Sequence, residues 1–169
     1  MKKIILGLLL AGSMLALFSC KKDSNPYYVK IKKDGNWTNY PQVAGELGPD
    51  LLDPSLTDLG IRGQTTDGKE VFDIAVQVPS TTFNTGTYRS DQYPQCQVIF
   101  DIIQQDGTSL RDFRIEDATG LPPSLYSVTI TEITDQTLRG TFTGNYLVDA
   151  LSDQVMNLTE GEFYVKRLR

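Results

Sequence analysis

The sequence predicts an all-β fold: a single antiparallel β-sandwich, with a barrel as the alternative. Short runs of alternating apolar and polar residues recur along the chain. Clusters of turn residues separate these runs at close spacing. After the N-terminal segment, no stretch of ten or more residues shows a convincing 3.6-residue period. Eight or nine short strands of this kind indicate a sandwich or a barrel in a single domain.

The first strands are predicted from an alternating run over residues 27–32, followed by the turn Asp34-Gly35-Asn36 and a return strand that begins at Trp37. Residues 41–58 contain three prolines and two glycines, and they are predicted to form a long loop with one helical turn around 51–56.

A hairpin is predicted where Asp67-Gly68 separates the runs 59–66 and 69–78, because this dipeptide readily adopts a type I′ turn. The run 96–103 is apolar on both faces and is the best candidate for a central strand. Further strands are expected at 111–116, 126–130, 138–148 and 156–168.

Three glycines are expected to have particular roles in these later strands. Gly140 and Gly144 lie among the inward positions of their run, which suggests a bulge or the close approach of a neighbour. Gly161 is expected to kink the last strand.

The N-terminal segment predicts a secretory signal peptide over residues 1–19. Lys2 and Lys3 precede the uncharged run 4–18, which is shorter than a membrane-spanning helix requires. The boundary Leu17-Phe18-Ser19-Cys20 resembles the lipobox of bacterial lipoproteins, although Phe18 departs from the small residue usual at its position.

This resemblance implies that Cys20 carries a lipid, palmitate included, as the first residue of the mature chain. Residues 20–26 then form the tether and residues 27–169 the sandwich domain. Several acyl chains together would hold the protein firmly at the membrane.

The composition excludes several classes of function. The 169 residues include 16 basic and 21 acidic side chains, net −5, and no histidine. The chain therefore lacks the commonest general base and zinc ligand, and it has no excess of cations for nucleic acid. We expect no cofactor and no metal site, since the acidic loops lack calcium-loop spacing and are typical of solvated turns. Cys96 is expected to be a small buried residue without a disulfide partner.

The last third of the chain resembles a broad, largely uncharacterised group of small lipoproteins of the Bacteroidota. Gly140-Thr141-Phe142 and Gly161-Glu162-Phe163 match the closing strands of that group, and Gly86-Thr87-Tyr88 matches a looser N-terminal part. The resemblance implies an envelope lipoprotein with a β-sandwich and no catalytic residues. We therefore expect an outer-membrane location, with the domain either in the periplasm or exposed at the cell surface.

Aromatic side chains near predicted turns are the candidate ligand-binding residues: Trp37, Tyr40, Tyr88 and Tyr93. Exposed rings can stack on sugars or anchor a protein partner, whereas ordinary core packing is the alternative. The sequence therefore predicts a non-catalytic binding or assembly role, with a glycan or an envelope protein as partner. The alternatives are a hydrolase using carboxylates or a Ser–Lys pair, and a purely structural envelope component.

Overall fold

The computed structural model describes residues 25–50, 53–79, 82–92, 96–106 and 109–168. Within these ranges the chain forms twelve β-strands and no helix, so it has no helix that could cross a membrane. Residues 1–19, Cys20 and the first part of the tether lie outside the described residues.

Twelve strands follow one another along the chain, most of them joined by short turns. They are β1 (Tyr28–Lys33), β2 (Asn36–Tyr40), β3 (Gln42–Pro49), β4 (Thr57–Gln64), β5 (Glu70–Val78), β6 (Gly86–Arg89), β7 (Gln97–Asp106), β8 (Ser109–Arg114), β9 (Ser127–Ile133), β10 (Thr137–Thr143), β11 (Tyr146–Asp149) and β12 (Val155–Lys166).

The strands form two layers that share β12. Layer A has the order β2-β1-β12-β10-β9-β6, and layer B has the order β3-β4-β5-β7-β8-β11-β12. Every pairing between these strands is antiparallel, and the sheet is not closed. The predicted all-β fold, an antiparallel β-sandwich, is therefore confirmed, and the closed barrel is not formed.

The core lies between the two layers. Phe142 from layer A packs against Phe72 and Phe100 from layer B, with ring centroids 5.5 and 5.1 Å apart. All three side chains are fully buried, and aliphatic residues of both layers surround them. Strand alternation explains this arrangement, because every second side chain of each strand points to the same face.

The hairpin turns differ from the prediction in their types. Asp34 and Gly35 have φ values of 46° and 81°, which is the two-residue type I′ turn expected at Asp67-Gly68. In the second hairpin only Gly68 has a positive φ, 71°, and its N–H donates to the Thr65 carbonyl at 3.0 Å. That pattern is a type I turn followed by a left-handed glycine, so the prediction of a type I′ turn at Asp67-Gly68 is wrong.

The prediction of a long loop over 41–58 is also wrong, because β3 occupies residues 42–49 and β4 begins at Thr57. The alternation of apolar and polar residues in β3 is not visible in the sequence, because one of its inward positions is Gly45. A Cβ at Gly45 would come within 2.5 Å of the Val165 side chain, so β12 packs directly on this backbone. A glycine that is needed for close packing removes the apolar residue by which a strand is recognised.

The strand β7 lies in the middle of layer B, as predicted, but it is not buried on both faces. Phe100 and Ile102 point into the core, whereas Ile99 and Ile103 remain 40% and 38% exposed on the outer face. Cys96, just before this strand, is buried as expected.

The predicted close approach at Gly140 is confirmed. A Cβ there would lie 2.6 Å from the Phe163 ring, and the β9–β10 ladder has a register shift between Arg139 and Gly140. Gly161 stays in regular register with Ile31 and Phe142, and the irregularity of the β1–β12 ladder lies at Lys32/Lys33 instead.

Candidate functional site

The outer face of layer B carries a groove of about 530 Å³, which we call the outer groove. It crosses strands β3, β4, β5 and β7. Two rows of outward side chains line it and a third row lies beside it, because antiparallel register places directly paired residues on the same face. The rows are Gly48-Asp58-Gln77-Gln97, Glu46-Gly60-Ala75-Ile99 and Ala44-Arg62-Asp73-Asp101.

The floor of the outer groove is the middle row, where side chains are small. Gly60 pairs with Ala75, and Ala75 pairs with Ile99. A Cβ built at Gly60 or at Gly48 meets nothing within 4 Å, so both glycines open directly onto the groove. The depth of the groove therefore results from missing side chains on a regular sheet and not from a gap in the core.

Asp58, Gln77 and Asp50 form one wall, at the end of the groove nearest the loop after β3. The Gln77 Nε2 donates to Asp58 Oδ1 at 2.9 Å and to Asp50 Oδ2 at 3.4 Å. Burial raises the pKa of Asp58; the Gln77 hydrogen bond opposes this shift, and the hydrogen bond with Asp50 and its charge raise the pKa further. This wall is therefore acidic, and hydrogen bonds between its planar carboxylate and carboxamide groups hold the side chains in position.

Beside the groove, and outside its lining, lies the row that contains Arg62 and Asp73. Arg62 donates to Asp73 through Nε at 2.7 Å and through Nη2 at 2.9 Å. This two-bond contact raises the pKa of the Arg62 guanidinium. Arg62 is therefore committed to a carboxylate of its own sheet, and a ligand in the groove would have to compete for it.

The four rings predicted as ligand-binding residues do not come together. Trp37 is 56% exposed on β2, which is one edge of layer A. Tyr88 lies on β6 at the other edge, where it packs on Phe83 and donates to the Asn84 carbonyl at 2.6 Å. Tyr93 lies outside the described residues.

Tyr40 is fully buried, so the expectation that its ring contacts a ligand is wrong. Its ring packs on Phe72, and its hydroxyl donates to the Glu70 carboxylate. Lys33 and Gln104 donate to the same carboxylate, which ties layer A to layer B. Burial, together with the charge of Glu70, raises the pKa of Tyr40. This polar cluster is an internal bridge between the layers.

No group of three or more metal-binding acidic, cysteine or histidine side chains occurs among the described residues. The lysines of β1 are all engaged with glutamates: Lys30 with Glu162, Lys32 with Glu160 and Lys33 with Glu70. They are therefore committed to salt bridges in this structure.

Sequence reasoning missed the outer groove completely. Its acidic members Asp50 and Asp58 have the sequence pattern of solvated turn residues. Its floor consists of glycine and alanine, whose small side chains add little to a pattern of alternating apolar and polar residues. The sequence feature that could have indicated the groove is Gly60, which lies at an outward position of the alternating run 59–66 where a larger side chain is expected.

Comparisons of this chain with protein-family models, with curated proteins and with solved structures found no match.

Proposed function

We propose that this protein is a lipid-anchored, non-catalytic binding protein of the cell envelope, and that the outer groove is its binding site. The observation that supports the proposal is the groove itself: an open volume of about 530 Å³ with a floor of small residues and one polar, acidic wall. Volumes of about 300–1,000 Å³ are typical of small-molecule sites, where a few polar groups fix the ligand's orientation. Because the groove lies on four paired strands, its geometry is preorganised.

The membrane anchor is proposed from the sequence, through the predicted signal peptide and Cys20. The seven residues 20–26 would reach at most about 25 Å when fully extended. The domain would therefore stay close to the membrane that holds it.

The arrangement of the carboxyl groups favours binding over glycoside hydrolysis. Glycosidases use two carboxyl groups about 5–9.5 Å apart, on opposite sides of the bond that is cleaved. Asp50 and Asp58 instead both accept a hydrogen bond from Gln77 Nε2, so this amide occupies the space between them and no sugar can lie there. The proposal accordingly assigns no chemical step to them.

The test uses the mature lipoprotein, purified in detergent, and envelope material from the producing cells, separated into polysaccharide, protein and small-molecule fractions. A ligand at about 100 times its dissociation constant stabilises a protein by about 2.7 kcal/mol, which a thermal melt detects. We expect one fraction to raise the melting temperature of the wild type. The variant Gly60→Leu, which fills the groove, should show no such rise.

The matched control is Thr141→Leu, which adds the same side chain at an exposed strand position on layer A. It should keep the full response. If no fraction changes the melting temperature of the wild type, or if Gly60→Leu responds like the wild type, the proposed function is wrong and a purely structural role is favoured.

A further inference from the structure

We propose that the outer groove binds neutral, hydroxyl-rich saccharides, an inference that rests on the proposed binding function. Three properties support it: the charge of the groove, the polar side chains of its wall and the apolar surface of its floor.

The charge of the groove selects against anionic ligands. Glu46, Asp50 and Asp58 all line it, whereas Arg62, on the row beside it, is held by Asp73 through two hydrogen bonds. A phosphate, a nucleotide or an acidic sugar would bring further negative charge beside these carboxylates, and Arg62 is already paired with Asp73. Like charges at short range are unfavourable, and they are most unfavourable where water is partly excluded.

The polar wall offers the donors and acceptors that sugar hydroxyls need. A hydroxyl is both donor and acceptor, so its best partners are side chains that present one of each in a plane. Gln97 supplies a carboxamide, Gln77 supplies its carbonyl oxygen while its Nε2 donates to Asp58 and Asp50, and Asp58 supplies carboxylate oxygens, on three neighbouring strands. Adjacent strands are about 4.8 Å apart, so successive hydroxyls along a sugar chain can each meet a different strand.

The floor offers an apolar surface of the matching kind. Ala75 and the backbone of Gly60 form its centre, and Ile99 closes it with a side chain that is 40% exposed. One face of a pyranose ring carries mainly C–H groups and can cover such a surface. This accounts for the exposed isoleucine, because burying apolar area against a ligand contributes roughly 25 cal/mol per Å².

Isothermal titration calorimetry tests the inference with the lipidated protein in a detergent that lacks a sugar headgroup. The neutral probes are maltohexaose, cellohexaose, xylohexaose, mannohexaose and chitohexaose. Heparin is the anionic probe and a lysine decapeptide the cationic one. We expect at least one neutral probe to bind, and heparin not to bind.

Two variants locate the binding in the groove. Gly60→Leu fills the floor, and Gln77→Ala removes a carboxamide from the wall. Each should weaken the affinity for the neutral ligand about 10-fold or more. Thr141→Leu should change that affinity less than about 2-fold. Affinity for the neutral ligand should be unchanged between about 0.05 and 0.5 M NaCl, because no ion pair contributes to it. Thermal melts without ligand must first show that both groove variants fold; Gly60→Ala replaces any variant that does not.

Several outcomes would overturn the inference while leaving a binding function intact. One is salt-sensitive binding of the lysine decapeptide in the groove with no neutral saccharide bound. Another is a response to the protein or small-molecule envelope fraction with none to the polysaccharide fraction. Binding of a saccharide that survives Gly60→Leu would place the sugar site elsewhere on the protein. If no envelope fraction is bound at all, the proposed function fails together with this inference.

Discussion

Replacing Gly161 by alanine adds one methyl group at a position where the fold leaves no space for it. The new Cβ would lie 2.1 Å from Cζ of Phe142 and 2.6 Å from the Lys30 carbonyl oxygen. Favourable contacts between such atoms need about 3.5–4.0 Å. Phe142 is itself enclosed by Phe72 and Phe100, and Lys30 O belongs to the paired backbone of β1, so neither neighbour can move away without cost.

The matched control is Gly60→Ala, the same change at a strand glycine whose Cβ meets nothing within 4 Å. Alanine in a strand is ordinarily favoured over glycine by about 0.5–1 kcal/mol, because glycine loses more backbone entropy on folding. Gly60→Ala should therefore leave stability unchanged or raise it. Overpacking at Gly161 should cost about 1–3 kcal/mol. Because both variants gain the same backbone-entropy term, their free energies of unfolding should differ by the overpacking cost alone, about 1–3 kcal/mol.

Urea unfolding of both variants measures the difference directly. With a slope of about 2 kcal/mol per molar urea, the two midpoints should be separated by about 0.5–1.5 M, the Gly161 variant being lower. If Gly161→Ala unfolds at the same urea concentration as Gly60→Ala or at a higher one, the close approach of Phe142 to β12 is wrong.

Three further predictions concern the anchor, a buried carboxylate and the last strand. Cys20→Ala should move the protein from the membrane fraction to the supernatant, and an unmodified mature N-terminus by mass spectrometry would contradict lipidation. Asp149 is almost fully buried; burial alone would raise its pKa, but hydrogen bonds from the Ser152 hydroxyl and the N–H groups of Asp112 and Leu151 outweigh this and lower it. A carboxyl group whose pKa is lowered in the folded state stabilises the protein at pH values above its unfolded pKa of about 3.9. Asp149→Ala should therefore cost about 1.5–3 kcal/mol of unfolding free energy at pH 7. In urea titrations, that cost should shrink as the pH falls towards about 3. Phe163→Ala should cost about 3–5 kcal/mol, because this side chain is fully buried, whereas the exposed Lys166→Ala should stay within about 0.5 kcal/mol of wild type; equal urea midpoints would place β12 outside the core.

The sequence predicted those elements whose inward residues are large and regularly spaced. In β5 the residues Phe72, Ile74, Val76 and Val78 alternate without interruption, and the strand lies where this pattern placed it. The prediction failed at β3, where Gly45 replaces an inward apolar residue. Alternation is recognised from the large apolar side chains that repeat along a strand, so a position that must be glycine for close packing does not contribute to it.

The site was harder to predict than the fold for the same physical reason. Aromatic rings attract attention in a sequence, yet Tyr40 fills the core and Trp37 and Tyr88 lie at opposite edges of layer A. The outer groove depends on Gly60 and Ala75 lying side by side on neighbouring strands. That adjacency is set by the register of the sheet, which a single chain does not reveal before its hairpins are known.

The last strand, β12, pairs with the first strand, β1, and belongs to both layers. Neither layer can therefore be completed until the final residues of the chain are available, and residues more than 130 positions apart must meet, as Tyr28 and Tyr164 do. Long-range pairing of this kind makes folding slow. Because synthesis proceeds from the N-terminus, the chain would have no closed core until β12 has been made, and its earlier apolar strands would stay exposed until then.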